Sequence, residues 1–323
     1  MYFPYFRGRQ YELLALKELV NGQLLSKSVV PVVEPVRLVK KDGKAVIPYK
    51  MIPSFNVAIQ AFIDAKSQIA IIGNPTVGDF ARDVNFVDTY YAQHGIVTNV
   101  IPALLMRKNT DRVLQTFIEN GVAPTDIIAI LDKRDFLDTY NRNFVEVPPL
   151  YTMFPDERQI RRTVTQGKVM FEDKFIKQEK NSDYEAAPDE FFSEDHLYYS
   201  DEGYVGFGDY SVVGSIYEEG GFAPKAVAIH IVYFDVNNIL RIRHFVSDSN
   251  MDIKDVAGKY YEAVTKLFNW YHEGQQSQQT DALLKFISHY ENGYYPGLPT
   301  IKKLSIMHHL ELMSKYLDGG MAK

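Results

Sequence analysis

The chain of 323 residues contains no cysteine, and this absence excludes several classes of site at once. Disulfide bonds, zinc sites with cysteine ligands, iron–sulfur clusters and thiol nucleophiles all require a cysteine side chain.

Long apolar runs are also missing from the sequence. No uninterrupted stretch approaches the ~18 apolar residues that a membrane-spanning helix requires. The first residues, Met1–Arg7, lack the basic-then-apolar order of a signal peptide. We therefore expect a cytoplasmic protein with no membrane partner.

Basic residues are fewer than acidic residues, and the formal net charge is −6. A protein that binds the phosphate backbone of nucleic acids usually carries the opposite balance, so nucleic acid is an unlikely partner. Common catalytic signatures are absent too: the sequence has no Gly-x-Gly-x-x-Gly, no Gly-x-Ser-x-Gly, no phosphate-binding loop and no His-x-x-x-His zinc spacing.

What the chain does contain is a repeated pattern of apolar runs that end abruptly in polar residues. In Asp126–Asp135 the run Ile-Ile-Ala-Ile-Leu stops at Asp-Lys-Arg-Asp, which indicates a strand buried on both faces. Similar runs recur with helix-like segments between them. The predicted strands are Val29–Glu34, Ile69–Gly73, Val97–Met106, Asp126–Asp135, Phe144–Phe154, Val169–Phe171, Gly206–Val213 and Ala226–Phe234.

Eight such β/α units over about 200 residues are typical of a (β/α)8 TIM-barrel-like fold. A doubly wound open α/β sheet is the alternative, but it commonly has fewer strands and a glycine fingerprint after the first. We expect one barrel-like domain over 1–323, with an N-terminal helical lead-in at 1–27, a late β-hairpin at Ile239–Val246 and a C-terminal helical extension at 248–323. The barrel interior is predicted to be filled by these residues, or by their immediate neighbours facing the other layer: Val32, Ile71, Ile101, Ile128, Ile130, Val169 and Ile231.

Helical periodicity is present between and after these strands. The predicted helices are Arg9–Val20, Phe55–Ala65, Asp79–His94, Thr110–Asn120, Asp156–Thr165, Val256–Tyr271, Thr280–His289 and Ile301–Leu317. The stretch Ser182–Tyr204 breaks the rhythm with eight acidic residues, six aromatic residues and no lysine or arginine. It is interpreted either as a lid or as a crossover helix at Pro188–Tyr199.

Active sites of such barrels are built at the carboxyl ends of the strands, so the polar residues that end apolar runs are the candidates. The proposed catalytic residues are Glu34, Asp132, Asp173, Asp209 and His230; the proposed substrate-binding residues are Arg9, Asn74, Arg107, Arg134 and Lys174. Converging carboxylates can divide into a general acid and a base, or can bind a divalent cation such as Mg²⁺ or Mn²⁺ with Asn74 as a neutral ligand. The alternatives are a helix cap for Asp132, a satisfied core position for His230 and a solvated loop charge for Lys174.

These residues support two functional hypotheses. The first is an enzyme, such as a hydrolase or lyase, that uses acid/base or metal-assisted chemistry on a small polar or phosphorylated substrate. The second is a non-catalytic protein whose partner binds Ser182–Tyr204 and the C-terminal helices.

Three stretches carry a resemblance to a known group of proteins: Phe3–Leu16, the segment Pro-Val-Val-Glu-Pro at 31–35, and His244–Asp248. There the chain resembles the bacterial and phage beta protein family, and the similarity extends over most of its length. The resemblance implies a single full-length domain and a setting in phage conflict or mobile elements, and it implies no reaction and no catalytic residues.

Overall fold

A parallel sheet of eight described strands carries the first part of the fold. The computed structural model describes residues 1–46, 50–81, 86–87, 97–220 and 224–319. Its strands, in chain order, are β1 Tyr5–Phe6, β2 Val32–Val33, β3 Lys40–Lys41, β4 Lys44–Ala45, β5 Ile69–Ile72, β6 Val100–Leu105, β7 Ile128–Ile130, β8 Tyr151–Phe154, β9 Lys168–Phe171, β10 Asp189–Ser193, β11 Gly206–Gly208, β12 Ala228–Phe234 and β13 Leu240–Val246. The parallel sheet has the order β1-β2-β5-β6-β7-β8-β9-β11.

The N-terminal segment joins the two edges of this sheet. Tyr2 forms parallel bridges to both Val29 and Phe207. The amide of Phe3 donates to the carbonyl of Phe207, and the amide of Tyr5 donates to that of Asp209, each at 2.8 Å. The sheet is therefore nearly closed into a barrel, and the predicted (β/α)8 TIM-barrel-like fold is confirmed.

Two of the predicted assignments within this barrel are wrong. The segment at 1–27 is not only a helical lead-in, because it supplies strand β1 before its helix. The eighth predicted strand, Ala226–Phe234, is not part of the barrel. Its core, β12, pairs antiparallel with β13 in a separate three-stranded sheet of order β10-β13-β12. This pairing confirms the predicted late hairpin.

The barrel interior is filled by side chains that alternate along the strands. Five of the predicted interior residues lie in this cluster: Val32, Ile101, Ile128, Ile130 and Val169. On β5 the interior positions are Ala70 and Ile72, the immediate neighbours given as the alternative to Ile71, because a shift of one residue reverses the face. Ile231 belongs to β12 and therefore packs outside the barrel.

Helices follow most barrel strands and dominate the C-terminal part of the chain. They are α1 Gln10–Asn21, α2 Pro53–Asp64, α3 Thr110–Glu119, α4 Leu137–Phe144, α5 Arg158–Thr163, α6 Asp195–Tyr198, α7 Val256–His272, α8 Asp281–Glu291 and α9 Leu298–Leu317. The predicted helix Asp79–His94 lies largely outside the described residues, at 82–85 and 88–96. The crossover helix predicted at Pro188–Tyr199 is wrong, because Asp189–Ser193 forms β10, which pairs with β13, and only Asp195–Tyr198 is helical.

Where the sequence predicts one barrel-like domain, the chain separates into two compact units. Unit 1 comprises Met1–Gly22, Lys27–Glu172 and Tyr198–Tyr210, and it contains the parallel barrel. Unit 2 comprises Gln23–Ser26, Asp173–Leu197 and Ser211–Lys323. The antiparallel sheet and α7–α9 lie in unit 2, where α9 packs on β12 and α7 on β13.

Candidate active site at the barrel mouth

The alternation of side chains places a group of polar and aromatic residues at the carboxyl ends of the barrel strands, on the interior side. Tyr5, Val32, Leu105 and Ile130 face the interior, so the residues two positions later face the same way. We call this group the barrel mouth: Tyr5, Arg7, Glu34, Arg107, Asp132, Phe171 and Tyr210.

Glu34 is the most deeply placed carboxylate of the barrel mouth, with no exposed surface. One of its oxygens accepts hydrogen bonds from the amide and the hydroxyl of Thr76, at 2.6 and 3.0 Å. The other accepts from the hydroxyl of Tyr5 at 2.6 Å and from the guanidinium of Arg7. A buried carboxylate is tolerated when it is paired in this way. Because both of its carboxylate oxygens accept hydrogen bonds, Glu34 fixes the positions of Tyr5, Arg7 and the loop after β5.

Arg7 combines this ion pair with aromatic contacts. Its guanidinium carbon lies 5.1 Å from the ring centre of Tyr5 and 5.8 Å from that of Tyr210. Burial acts to lower the pKa of Arg7, but Tyr5, Glu34 and Tyr210 together raise it above its ordinary value. Burial and the charge of Glu34 raise the pKa of Tyr5 well above 10, so its hydroxyl stays protonated as the donor to Glu34. Arg7 is therefore a permanent cation fixed between a carboxylate and two rings.

The turn after β1 depends on Gly8. This residue has φ +57°, and a Cβ atom there would lie 2.8 Å from the carbonyl oxygen of Glu34. A glycine satisfies both constraints, because it has no Cβ and adopts positive φ readily. The local sequence Arg-Gly thus lets the chain leave the strand while Arg7 stays against Glu34.

A second arginine–carboxylate pair lies on β6 and β7. Arg107 donates two parallel hydrogen bonds to Asp132, at 2.6 and 2.8 Å, and its guanidinium carbon lies 5.2 Å from the ring centre of Phe136. Burial acts to lower the pKa of Arg107, but the hydrogen bonds and charge of Asp132 raise it overall, with further contributions from Tyr5 and Glu34. Arg134, a proposed substrate-binding residue, lies 3.7 Å from Glu157 and is largely exposed.

The four proposed carboxylates do not gather as one cluster. Asp209 follows β11 on the opposite face from Tyr210, and it accepts a hydrogen bond from the hydroxyl of Tyr2 at 2.8 Å. Asp173 lies in unit 2, where its two oxygens accept from the amides of Phe175 and Ser215. Only Glu34 and Asp132 share the interior side of the barrel mouth.

The other proposed residues have well-defined local partners. Lys174 lies in unit 2 and pairs with Asp195 at 2.9 Å. Asn74 is held against β6, since its amide donates to the carbonyl of Leu105 and accepts from the amide of the same residue. Arg9 occupies the N-cap position of α1. His230 lies on β12 in unit 2 rather than in a barrel strand, which corrects its predicted placement.

Most aromatic side chains of the acidic stretch Ser182–Tyr204 are packed against the rest of the protein. Tyr184, Phe192 and Tyr204 are buried, and Tyr199 is half-buried. Phe191 and Tyr198 remain about half exposed. Its aromatic content is therefore mostly explained by packing.

The site residues proposed from the sequence leave out four members of the barrel mouth, namely Tyr5, Arg7, Phe171 and Tyr210. Tyr5 lies in a strand that was not predicted, while Phe171 and Tyr210 are aromatic and carry no charge that marks a strand end. Their rings meet Tyr5 and each other at centre distances of 4.8–5.6 Å. The signal for Tyr5 and Arg7 was available in the alternation Phe3, Tyr5, Arg7, followed by a glycine.

No family model matches the chain, and a search of curated proteins finds no match. The resemblance to the beta protein family therefore stays a prediction. Within the described ranges, no three or more histidine or acidic residues are arranged to hold a metal ion. In the same part of the chain, no helix has the length and apolar character needed to cross a membrane.

Proposed function

We propose that unit 1 is an enzyme that binds a small anionic substrate, such as a phosphorylated metabolite, at the barrel mouth. The observation that carries this proposal is the pair of arginines at the carboxyl ends of β1 and β6, each fixed by its own carboxylate. Arginine matches phosphate and carboxylate oxygens with its planar array of donors. The position agrees with where barrel enzymes place their sites.

The division of roles follows from exposure. The side chains of Arg107 and Asp132 are 18% and 22% exposed, whereas Glu34 is fully buried. Arg107 is thus the proposed contact to the substrate anion, and Arg7 and Glu34 shape the floor of the site. Asp132 is the carboxylate proposed to accept or deliver a proton in acid/base chemistry. In the metal-assisted form of the proposal, a divalent cation would join the substrate anion beside Asp132.

Arg107→Gln tests the binding role directly. We expect the wild type to be stabilised in thermal melts by members of a panel of sugar phosphates and phosphorylated hydroxy acids, with or without Mg²⁺ or Mn²⁺. A ligand at 100 times its Kd raises stability by about 2.7 kcal/mol. Arg107→Gln should remove this stabilisation, while Arg112→Gln, which alters an exposed arginine on α3, should retain it. Equal stabilisation of wild type and Arg107→Gln would contradict the proposal.

Asp132→Asn separates catalysis from binding. Asparagine removes the proton acceptor and one charge of the pair with Arg107, so binding should weaken, while turnover measured by ³¹P NMR at saturating ligand should stop. Turnover that survives Asp132→Asn would remove Asp132 from the acid/base role.

A further inference from the structure

A cavity of about 310 Å³ opens within unit 2, independently of the barrel mouth. Its volume lies in the range of about 300–1,000 Å³ that small-molecule sites occupy. Its apolar lining includes Phe175, Tyr184, Val212 and Ile301; its polar lining includes His230, Lys302 and Ser305.

The hydrogen atoms of two histidines beside this cavity can be assigned from their partners. His230 on β12 and His244 on β13 are cross-strand neighbours, and their Nδ1 atoms lie 2.7 Å apart. Nε2 of His244 lies 3.3 Å from a carboxylate oxygen of Glu190. An ionised carboxylate only accepts hydrogen bonds, so this Nε2 carries the hydrogen. A neutral imidazole has one N–H, so Nδ1 of His244 accepts and Nδ1 of His230 donates.

Both imidazoles are neutral in this arrangement. Burial lowers the pKa of His230 well below 6.5, and the positive charge of Lys302 lowers it further. Burial also lowers the pKa of His244, although Glu190 opposes the shift. Nε2 of His230 therefore carries a lone pair, and within the described residues it forms no hydrogen bond. The cavity is thus lined by a histidine whose second ring nitrogen can accept a hydrogen bond from a ligand.

Aromatic and charged groups complete the surroundings. The ring centres of Tyr184 and Phe175 lie 4.6 and 5.2 Å from that of His230. The charged lining residues are Lys177, Lys302 and Glu179. Lys177 pairs with Glu218 at 2.7 Å. The charge of Lys302 acts on His230.

We propose that this cavity is a second ligand site, which binds a small organic anion with a ring or short apolar body. An O–H or N–H group of the ligand donates to Nε2 of His230, and its anionic group lies against Lys302. The aromatic side chains accommodate the apolar body.

The full-length protein labelled with ¹⁵N-histidine provides the first test, with 4-hydroxybenzoate as the probe. In ¹H–¹⁵N correlation spectra, Nε2 of His230 should have a pyridine-type resonance, as expected for a lone pair. Saturating 4-hydroxybenzoate should shift this resonance towards the pyrrole type, because the phenol donates a hydrogen bond to it. Benzoate lacks this donor and should bind about tenfold more weakly, which corresponds to about 1.4 kcal/mol.

Lys302→Ala tests the anionic contact, with Lys303→Ala on the same helix as the matched control because Lys303 does not line the cavity. We expect the Kd of 4-hydroxybenzoate to rise about tenfold in the first variant and to stay within about twofold in the second. A pyrrole-type Nε2 in the free protein, the absence of a saturable shift, or equal effects of the two variants would each overturn the proposal. If Lys302→Ala does not fold, the wild-type resonance and the comparison with benzoate still decide it.

Discussion

At the residue scale, Glu34 holds the barrel mouth together, because it connects β1, β2 and the loop after β5. Removing one partner of a buried ion pair leaves the other charge without compensation, which costs about 3–5 kcal/mol. We expect Glu34→Gln to lower the free energy of unfolding by about 3 kcal/mol, measured by urea denaturation. The control is Asp111→Asn, which breaks the exposed pair with Arg142 and should cost under about 1 kcal/mol. Similar losses in both variants would mean that Glu34 is not a buried anchor.

Gly8 offers a second test at the residue scale, since another glycine provides a matched control. Gly8 and Gly43 both have positive φ, at +57° and +75°, but only Gly8 has backbone atoms where a Cβ would lie. Alanine at either position pays about 1–2 kcal/mol for the left-handed backbone. Gly8→Ala should cost clearly more than Gly43→Ala in thermal melts, because it also collides with Glu34. Equal losses would show that the backbone conformation alone requires glycine.

At the scale of elements, the segment Tyr2–Phe6 acts as one complete strand of the barrel, although only two of its residues are assigned to β1. Phe3 is fully buried in the barrel interior. Truncating a buried phenylalanine costs about 3–5 kcal/mol, so Phe3→Ala should destabilise the protein by that amount. Ile118→Ala, on the exposed side of α3, should change stability by under about 0.5 kcal/mol. A small effect of Phe3→Ala would favour the original interpretation of this segment as a lead-in.

The strands that were predicted correctly share a feature that Tyr2–Phe6 lacks. The runs in β5, β6 and β7 are rich in branched apolar residues and end in polar residues, which marks strands buried on both faces. Tyr2–Phe6 is aromatic, short and interrupted by Pro4, so its strand character depends on pairing with β2 and β11. Pairing over long sequence separations is not encoded in local periodicity.

The opposite error occurred at β12, where an apolar run of seven residues was indistinguishable from a barrel strand. Only its antiparallel register with β13 identifies it as part of another sheet. In the candidate site, the charged residues at strand ends correctly predicted Glu34, Arg107 and Asp132. The alternation of side chains along each strand decides which of the other strand-end residues point away from the barrel interior. The ion-pair partners could not be predicted, because they depend on the spacing between strands.

At the scale of the whole molecule, the histidines and the single tryptophan, Trp270, are unevenly distributed between the two units. Every histidine that the structure describes lies in unit 2, as does Trp270, the sole tryptophan of the chain. Trp270 lies beside Tyr233 and Phe245, with ring centres at 5.3 and 5.4 Å. Its fluorescence therefore reports the unfolding of unit 2, whereas far-ultraviolet circular dichroism reports both units.

This distribution predicts that acid destabilises unit 2. Burial lowers the pKa of His308 to about 4 and that of His309 to about 3. The unfolded chain binds protons near pH 6.5 while these folded groups do not, so the stabilising effect is complete above pH 6.5 and is lost as the pH falls towards 4 and 3. As the pH falls from 7 to 5, His308 and His309 should each lower the free energy of unfolding by about 2 kcal/mol.

His309→Gln provides the test, since it removes one of these titrating groups from a buried position next to Ser211. Urea unfolding followed by Trp270 fluorescence should show a drop in stability between pH 7 and pH 5 that is about 2 kcal/mol smaller in His309→Gln than in the wild type. His272→Gln, at an exposed site on α7, should keep the wild-type dependence. Because the comparison is between two pH values within each variant, a loss of stability common to both values cancels. An unchanged pH dependence in His309→Gln would mean that the imidazole is protonated in the folded protein, or reached by water, which its complete burial argues against.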